Sequence, residues 1–388
     1  MMHAPQRGMT LVELLVAMVI GLGVTLAVST LLVAGENHKR TTTSTNDAEQ
    51  TGAYAFYALD RALRGAGSAI AESAFPSDVG VLGCRLNAGS FLPRATAFPA
   101  PFATAFLGGA TSTLRVAPLL IGKNQSDNTT SDVLVVMGGS GAAGGVSRAI
   151  NGIGGSTSLI LESTVGFYQY DLALVSQSGT TDCLLEEVSS ISSPTLTLSN
   201  TYPYYTAGGT TTLSTLAAST ASYVTPIGNA QANNVQFQMF GVGTNDTLYS
   251  YDLLQNQLKV GGTGTDTSQA IADGVIQMNA IYGIEGTTTP GVIGTWADPG
   301  AAGYDINTVM TTPATMETII AVRIALVVRG EYYDKNIVSP ATLAIFSGYT
   351  NAAAASLSRT VTLPDRHYRY RVFEFTVPLR NMLLLAGA

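Results

Sequence analysis

From Met9 to Ala34 the chain reads MTLVELLVAMVIGLGVTLAVSTLLVA, 26 residues with one charge, Glu13. At about 1.5 Å per helical residue the run exceeds the roughly 30 Å hydrocarbon core of a bilayer and can span it. Gly35–Thr51 is polar, with a Thr cluster that forms helix poorly on its own. Ala48, Thr51, Ala55, Phe56, Leu59, Ala62 and Leu63 then recur at spacings of three and four, an amphipathic helix face. Gly65 and Gly67 supply a stop. The pattern predicts one helix from about Met9 to Leu63, roughly 80 Å long. Its first half is apolar all round, and its second packs one face on a globular domain. No proline interrupts it, and Gly21 and Gly23 are its weakest point.

Beyond residue 67 the period changes. Short apolar runs alternate with Gly, Ser, Thr, Asn and Pro clusters, which is strand-and-turn patterning. Predicted strands are Leu114–Pro118, Asp132–Met137, Ser158–Glu162, Thr195–Leu198, Val235–Val242, Leu248–Leu254, Gly274–Ile284, Thr318–Val328 and Tyr368–Pro378. Thr287–Met316, rich in Thr, Pro and Gly, reads as a long loop, a surface excursion with the single tryptophan, Trp296, tucked under it. No fixed-period repeat is present.

The N-terminus admits three readings. A secretory signal has an apolar stretch of about 7–15 residues ending at a small-residue cleavage site, and this run is longer. A plain membrane anchor leaves the carboxylate of Glu13 unexplained, because such groups are costly in lipid. The third is specific. Gly8-Met9-Thr10-Leu11-Val12-Glu13 resembles the processing site of type IV prepilins. The resemblance implies cleavage by a prepilin peptidase between Gly8 and Met9 and methylation of the new N-terminus. Met9 stands where the family usually has Phe. It also implies that Glu13, as fifth mature residue, pairs with the N-terminal amine of a neighbouring subunit.

Physics supports a role for Glu13 independently. A first-turn carboxylate meets the positive end of the helix dipole. Thr10-x-x-Glu13 also fits a capping box, so Glu13 could simply cap a membrane helix. Before cleavage Arg7 lies on the cytoplasmic side, in the positive-inside sense, and its removal takes the net charge from -7 to -8.

Further stretches resemble the PilW family of minor pilins. They are Ala58–Gly67 at the helix end, Asp273–Gly283, Ile319–Arg329 and Tyr368–Met382. The resemblance implies an α+β, type IV pilin-like fold, a long N-terminal helix packed on an antiparallel sheet. We expect a leader at 1–8 and a helix at 9–66, with 9–34 in the membrane and 35–66 amphipathic. A large inserted β-rich lobe at 67–230 and a sheet domain at 231–388 complete the division, whose boundary rests on composition alone.

Composition changes this little. Only 12% of residues are charged, 41 are glycine, and the acidic balance draws the whole protein neither to nucleic acid nor to anionic lipid. Cys84 and Cys183 read as one disulfide if the domain faces an oxidising compartment, or as two buried thiols otherwise. Neither cysteine sits in a CxxC and only His3, His38 and His367 are present, so no metal site is expected.

Other motifs carry little. Gly139–Gly144 fits GxGxxG, but the following Gly145–Gly155 is too glycine-rich for the helix a dinucleotide site needs. Arg366–Arg371 interleaves cations with aromatics, yet strand alternation sends Tyr368 and Tyr370 one way and Arg369 and Arg371 the other. No G-x-S-x-G is present, and Glu186-Glu187 reads as solvated surface.

The expected function is therefore a non-enzymatic minor pilin, without cofactor, that primes type IV pilus assembly. The expected location is the inner membrane, single-pass with a periplasmic domain, and then the pilus. Expected partners are other pilins and minor pilins, the prepilin peptidase and the membrane, with nucleic acid a remote one. A type II secretion pseudopilin and an adhesive or DNA-uptake tip subunit are the alternatives.

Overall fold

The computed structural model describes residues 10–71, 81–88, 92–93, 97–102, 106, 114–140, 145–179, 182–198, 212–254 and 267–384. Helix α1, Leu11–Arg64, is unbroken through Gly21 and Gly23. Thr25 Oγ1 donates to the Gly21 carbonyl at 3.0 Å and Thr30 Oγ1 to that of Ala27 at 2.8 Å. These two threonine hydroxyls of the apolar half are thus satisfied within the helix. Gly65 caps the end, its N–H donating to the Ala62 and Leu63 carbonyls. Gly67 takes φ of 76°, open to glycine at little cost, and donates its N–H to the Met137 carbonyl at 2.8 Å.

In chain order the strands are β1 (Arg85–Asn87), β2 (Leu119–Gly122), β3 (Val133–Gly138), β4 (Arg148–Gly155), β5 (Ser158–Leu161), β6 (Asp171–Gln177), β7 (Asp182–Ser192), β8 (Thr195–Leu198) and β9 (Ser222–Asn229). They continue as β10 (Gln236–Val242), β11 (Thr247–Asp252), β12 (Gln269–Asp273), β13 (Val275–Glu285), β14 (Ile293–Ala297), β15 (Ile319–Arg329), β16 (Thr342–Ile345), β17 (Arg359–Thr362) and β18 (Tyr370–Pro378). Among the described residues four short helices join them: α2 (Leu213–Ala217), α3 (Ile306–Thr311), α4 (Pro313–Glu317) and α5 (Arg380–Leu383). The fold is α+β and mostly antiparallel, a long helix on a β-rich body.

Three main sheets build that body. The sheet β14-β13-β15-β18 is antiparallel throughout and lies against the second half of α1. Ala48, Ala55, Leu59, Ala62 and Leu63 of the helix are buried there, and Phe56 meets Phe375 edge to face at 4.4 Å between centroids. The face foreseen from periodicity is present, extended by Ser44 and Gly52, which carry no apolar signal. The opposite side of this sheet is covered by the β16–β17 hairpin through Ile345, Phe346 and Val361. The second sheet, β12-β11-β10-β3-β2, pairs β3 with β10 and so joins strands from both sides of residue 230. The third, β1-β7-β6-β9-β4-β5-β8, encloses a core of its own around Leu159, Val175, Leu184, Leu196 and Val224.

One buried charge knot ties these layers. Asp132, fully buried, accepts from the Asn124 N–H at 2.9 Å and the Ala280 N–H at 2.8 Å, and pairs with Arg359 at 3.0 Å. Arg359 also reaches Asp298 at 3.1 Å, which holds Lys123 at 2.7 Å. Elements from residue 123 to residue 359 thus share one network, and a buried pair so supplied with donors resists the loss of any member.

Several expectations are corrected. Leu114–Pro118 is not a strand; Val116 exchanges backbone hydrogen bonds with Gly83 and Cys84, and the ladder starts at Leu119. The long loop expected at Thr287–Met316 contains β14, α3 and α4. Asp305 accepts from the Thr308 N–H at 3.1 Å to start α3, and Ile306, Val309 and Met310 bury its apolar face. Trp296 lies on β14, half-buried and edge-on to Tyr349 at 5.3 Å. Glu186 and Glu187 are buried in β7, because the cores on both faces of that strand enclose it.

Two tests follow from the packing. Burial pushes the Glu186 carboxyl up to about 8, and its Oε1 has no hydrogen-bond partner among the described residues. The folded chain therefore holds the acid neutral while the unfolded chain ionises it near its ordinary 4.5. Stability should be highest below pH 4.5 as far as this group is concerned, and should fall up to pH 8 by on the order of 5 kcal/mol. Glu186→Gln should flatten that dependence and exceed wild type at pH 8 in urea unfolding of detergent-solubilised protein. Separately, a Cβ on Gly52 would enter the Phe373 ring. Gly52→Val should cost about 1–3 kcal/mol by thermal unfolding, whereas Ala53→Val, on the exposed side, should be near neutral.

Candidate assembly segment

The residues expected to carry assembly chemistry sit at the head of α1. Thr10 is extended at φ -80° and ψ 154°, outside the helix, and Leu11 begins it. Its Oγ1 accepts the Glu13 N–H at 3.3 Å. Glu13 Oε2 in turn accepts the Thr10 N–H at 3.0 Å and the Thr10 hydroxyl at 3.0 Å. This reciprocal pair is the capping box expected from Thr10-x-x-Glu13. It satisfies orphan donors of the first turn and holds a carboxylate at the positive end of the helix. Gly8 and Met9 lie outside the described residues.

The helix surface behind that box is bare. Every residue from Leu11 to Gly35 is exposed, and Leu11, Leu22, Leu31 and Leu32 are each about 70% exposed or more. An apolar span of this length, near the N-terminus and with none of its window buried, has the dimensions of a membrane crossing. So large an apolar surface is not stable in water and needs lipid or other helices around it.

The cysteines come together as expected for an oxidising compartment. Cys84 and Cys183 form a disulfide with Cα atoms 5.7 Å apart and 99 residues between them in sequence. It sits where β1 pairs with β7 in parallel, Leu86 lying opposite Cys183. Arg85 adds an ion pair to Asp182 on the same two strands.

The weighed motifs fall elsewhere. Residues 141–144 of the glycine motif lie outside the described residues, and β4 occupies the place of the helix a dinucleotide site requires. In Arg366–Arg371 the cations are engaged with protein groups. Arg366 donates to the Ser339 carbonyl at 3.0 Å, Arg369 pairs with Asp334 at 3.2 Å, and Arg371 with Glu49 at 3.4 Å. His367 stacks on Tyr333, centroids 5.0 Å apart. Sequence reading missed the charge knot of Asp132, Arg359, Asp298 and Lys123. Asp132 and Arg359 alone are 227 residues apart, and only the fold brings the members together.

The bare apolar helix, its capped carboxylate and the sheet packed on its far half together define a type IV pilin-like protein. Residues 4–29 match the prokaryotic N-terminal methylation motif, and residues 239–381 match the family model described as type IV pilus-assembly protein W. The chain is thus similar to that family over the sheet-bearing C-terminal part and to type IV prepilins at its N-terminus. None of the curated proteins and none of the solved structures matches it.

The disulfide gives a direct test. Closing a loop of this size is worth about 4–5 kcal/mol in the chain-entropy treatment. Replacing Cys84 and Cys183 together by Ser should lower unfolding stability by about 2–5 kcal/mol, and a reductant should have the same effect on wild type and none on the variant.

Proposed function

We propose that this chain is a minor pilin that helps start or prime assembly of a type IV pilus from the inner membrane. One observation carries the reading: a lone carboxylate, Glu13, stands at the head of an otherwise apolar and uncovered helix, inside a segment that matches the N-terminal methylation motif. A prepilin peptidase cuts between Gly8 and Met9 on the cytoplasmic side and leaves the Thr10–Glu13 box intact, since neither residue is removed. The new amine of one subunit then pairs with Glu13 of its neighbour. In a low-dielectric filament core such a pair is worth far more than in water, and losing one partner strands the other. The sheet domain and the lobe within 67–230 are displayed on the periplasmic side and then on the fibre. The chain performs no catalysis in this role.

Mass spectrometry of the mature N-terminus tests processing: the protein should begin at a methylated Met9. A protein that retains its initiator methionine, or begins after Ala34, excludes this reading. Glu13→Ala should fractionate with the membrane like wild type but fail to enter sheared filaments, and normal incorporation of that variant would remove the pairing mechanism.

A further inference from the structure

Strand β15 fixes how the domain hangs on α1. Its start lies level with the helix end, because the Leu379 N–H donates to the Ile320 carbonyl at 2.8 Å and Asn381 donates to the Ala66 carbonyl at 2.8 Å. Its finish lies beside the first buried helical positions. A Cβ on Gly330 would strike Ser44, and Arg371, opposite Val328, pairs with Glu49. Eleven strand residues cover about 36 Å, and the helix from Ser44 to Arg64 covers about 30 Å. So β15 runs antiparallel to α1 and delivers the chain at Gly330 to the edge of the domain nearest the apolar run.

The segment that follows, residues 331–338, occupies that edge. Tyr332, Tyr333 and Ile337 are 43, 52 and 58% exposed. They are held in place, not loose. Asp334 donates its N–H to the His367 carbonyl at 2.8 Å, Val338 donates to the Arg366 carbonyl at 3.0 Å, and Tyr333 stacks on His367. The Asp334 carboxylate is held below its ordinary value first by the Asn336 N–H, then by Arg369, with Arg40 of α1 contributing. The segment is therefore within electrostatic reach of Arg40, six residues past Ala34 or about 9 Å along the helix. The headgroup layer itself is about 5–7 Å deep on each side of the hydrocarbon. The helix tilt of about 20° usual for spans brings this edge nearer to that layer.

We propose that Tyr332, Tyr333 and Ile337 form an interfacial anchor that rests in the headgroup–acyl boundary of the bilayer holding α1. The proposal rests on the reading that Leu11–Ala34 spans that bilayer. Tyrosine suits such a boundary, with an apolar ring below and a hydroxyl among the headgroups. The neighbouring charges largely cancel: Arg369 pairs with Asp334, Arg371 with Glu49 and Arg40 with Glu36, and the exposed Glu331 and Lys335 of the segment itself are opposite in sign. The contact is therefore apolar, insensitive to salt, and needs no anionic lipid. It gives the unassembled subunit a fixed seat on the membrane before α1 is withdrawn into a filament.

The test uses the full chain reconstituted in phosphatidylcholine vesicles. Trp296 is the only tryptophan, so Trp296→Phe with Tyr333→Trp, or with Ile337→Trp, gives one reporter. Lipid brominated near the top of its acyl chains should lower reporter emission about twofold, equally in high salt, as expected of an interfacial ring. A reporter from Tyr168→Trp, on the exposed surface of the lobe, should be unaffected. A chain that resists alkaline extraction while both edge reporters ignore the lipid and meet aqueous iodide as freely as the lobe reporter overturns the anchor alone. Edge reporters that respond only on cross-linking to a second copy also overturn it, in favour of a subunit contact. A chain released by alkaline extraction overturns the spanning reading and the anchor with it.

Discussion

The close approach of α1 to β18 is the contact on which the rest of the architecture depends. Gly52 lets the Phe373 ring lie against the helix backbone, and Phe56 and Phe375 lock edge to face one turn further on. Because β18 pairs with β15 over nine residues and β15 with β13 over nearly all of its length, seating one strand seats the sheet. The helix face that does this is built of Ala48, Ala55, Ala62 and Gly52 with Leu59 and Leu63 between them. Small residues bring the backbones near, and the leucines fill the space that remains.

This seating divides the molecule by solvent. One face of the second half of α1 is covered by the domain, and the first half is covered by nothing among the described residues. A single subunit cannot satisfy both halves in water, because the same rod is core at one end and apolar surface at the other. The distal layers are held independently. The third sheet has its own apolar cluster, the disulfide pins β7 beside β1, and the Asp132–Arg359 knot fastens residues 123–132 to β13 and β17. A buried carboxylate with two backbone donors and an arginine specifies one arrangement of these layers, since any shift leaves a charge without its partners.

What was legible in the chain follows the same division. Residues 11–64 announce themselves because one long element obeys one period, β3, β13 and β15 because their apolar runs are nearly continuous and buried on both faces, and β10 and β18 because aromatic and aliphatic residues recur along short runs between polar ones. Strand β4 stayed hidden since Gly152, Gly154 and Gly155 carry no β signal and its pairing with β5 is interrupted by two shifts of register. Strand β9 carries Pro226, which argues against a central strand, yet it sits between β6 and β4 with a register shift nearby. Glu186 misled for another reason. Its neutral acid form is admitted to a core that its charged form could not enter, and a sequence shows only the residue, not its proton. The charge knot and the parallel pairing of β1 with β7 are long-range facts that no local pattern contains.

At the head of α1 the same residue can serve two states in turn. In the lone subunit Glu13 is held by Thr10, through the backbone N–H and the hydroxyl on one carboxylate oxygen. Those bonds are local, cost little to keep, and leave the charge at the helix start where the dipole favours it. A neighbour's amine would add a full positive charge without requiring the helix to unwind, since a carboxylate accepts from several donors at once. The cap therefore does not compete with the intersubunit pair that we propose; it presents the acceptor for it. On that proposal Thr10 is a positioning residue, and the specificity of assembly would rest on there being one carboxylate, at one height, in a rod otherwise free of charge from Leu11 to Gly35. In the proposed filament, register between subunits would follow from that singularity, because any other axial offset would bury Glu13 against apolar side chains with nothing to neutralise it.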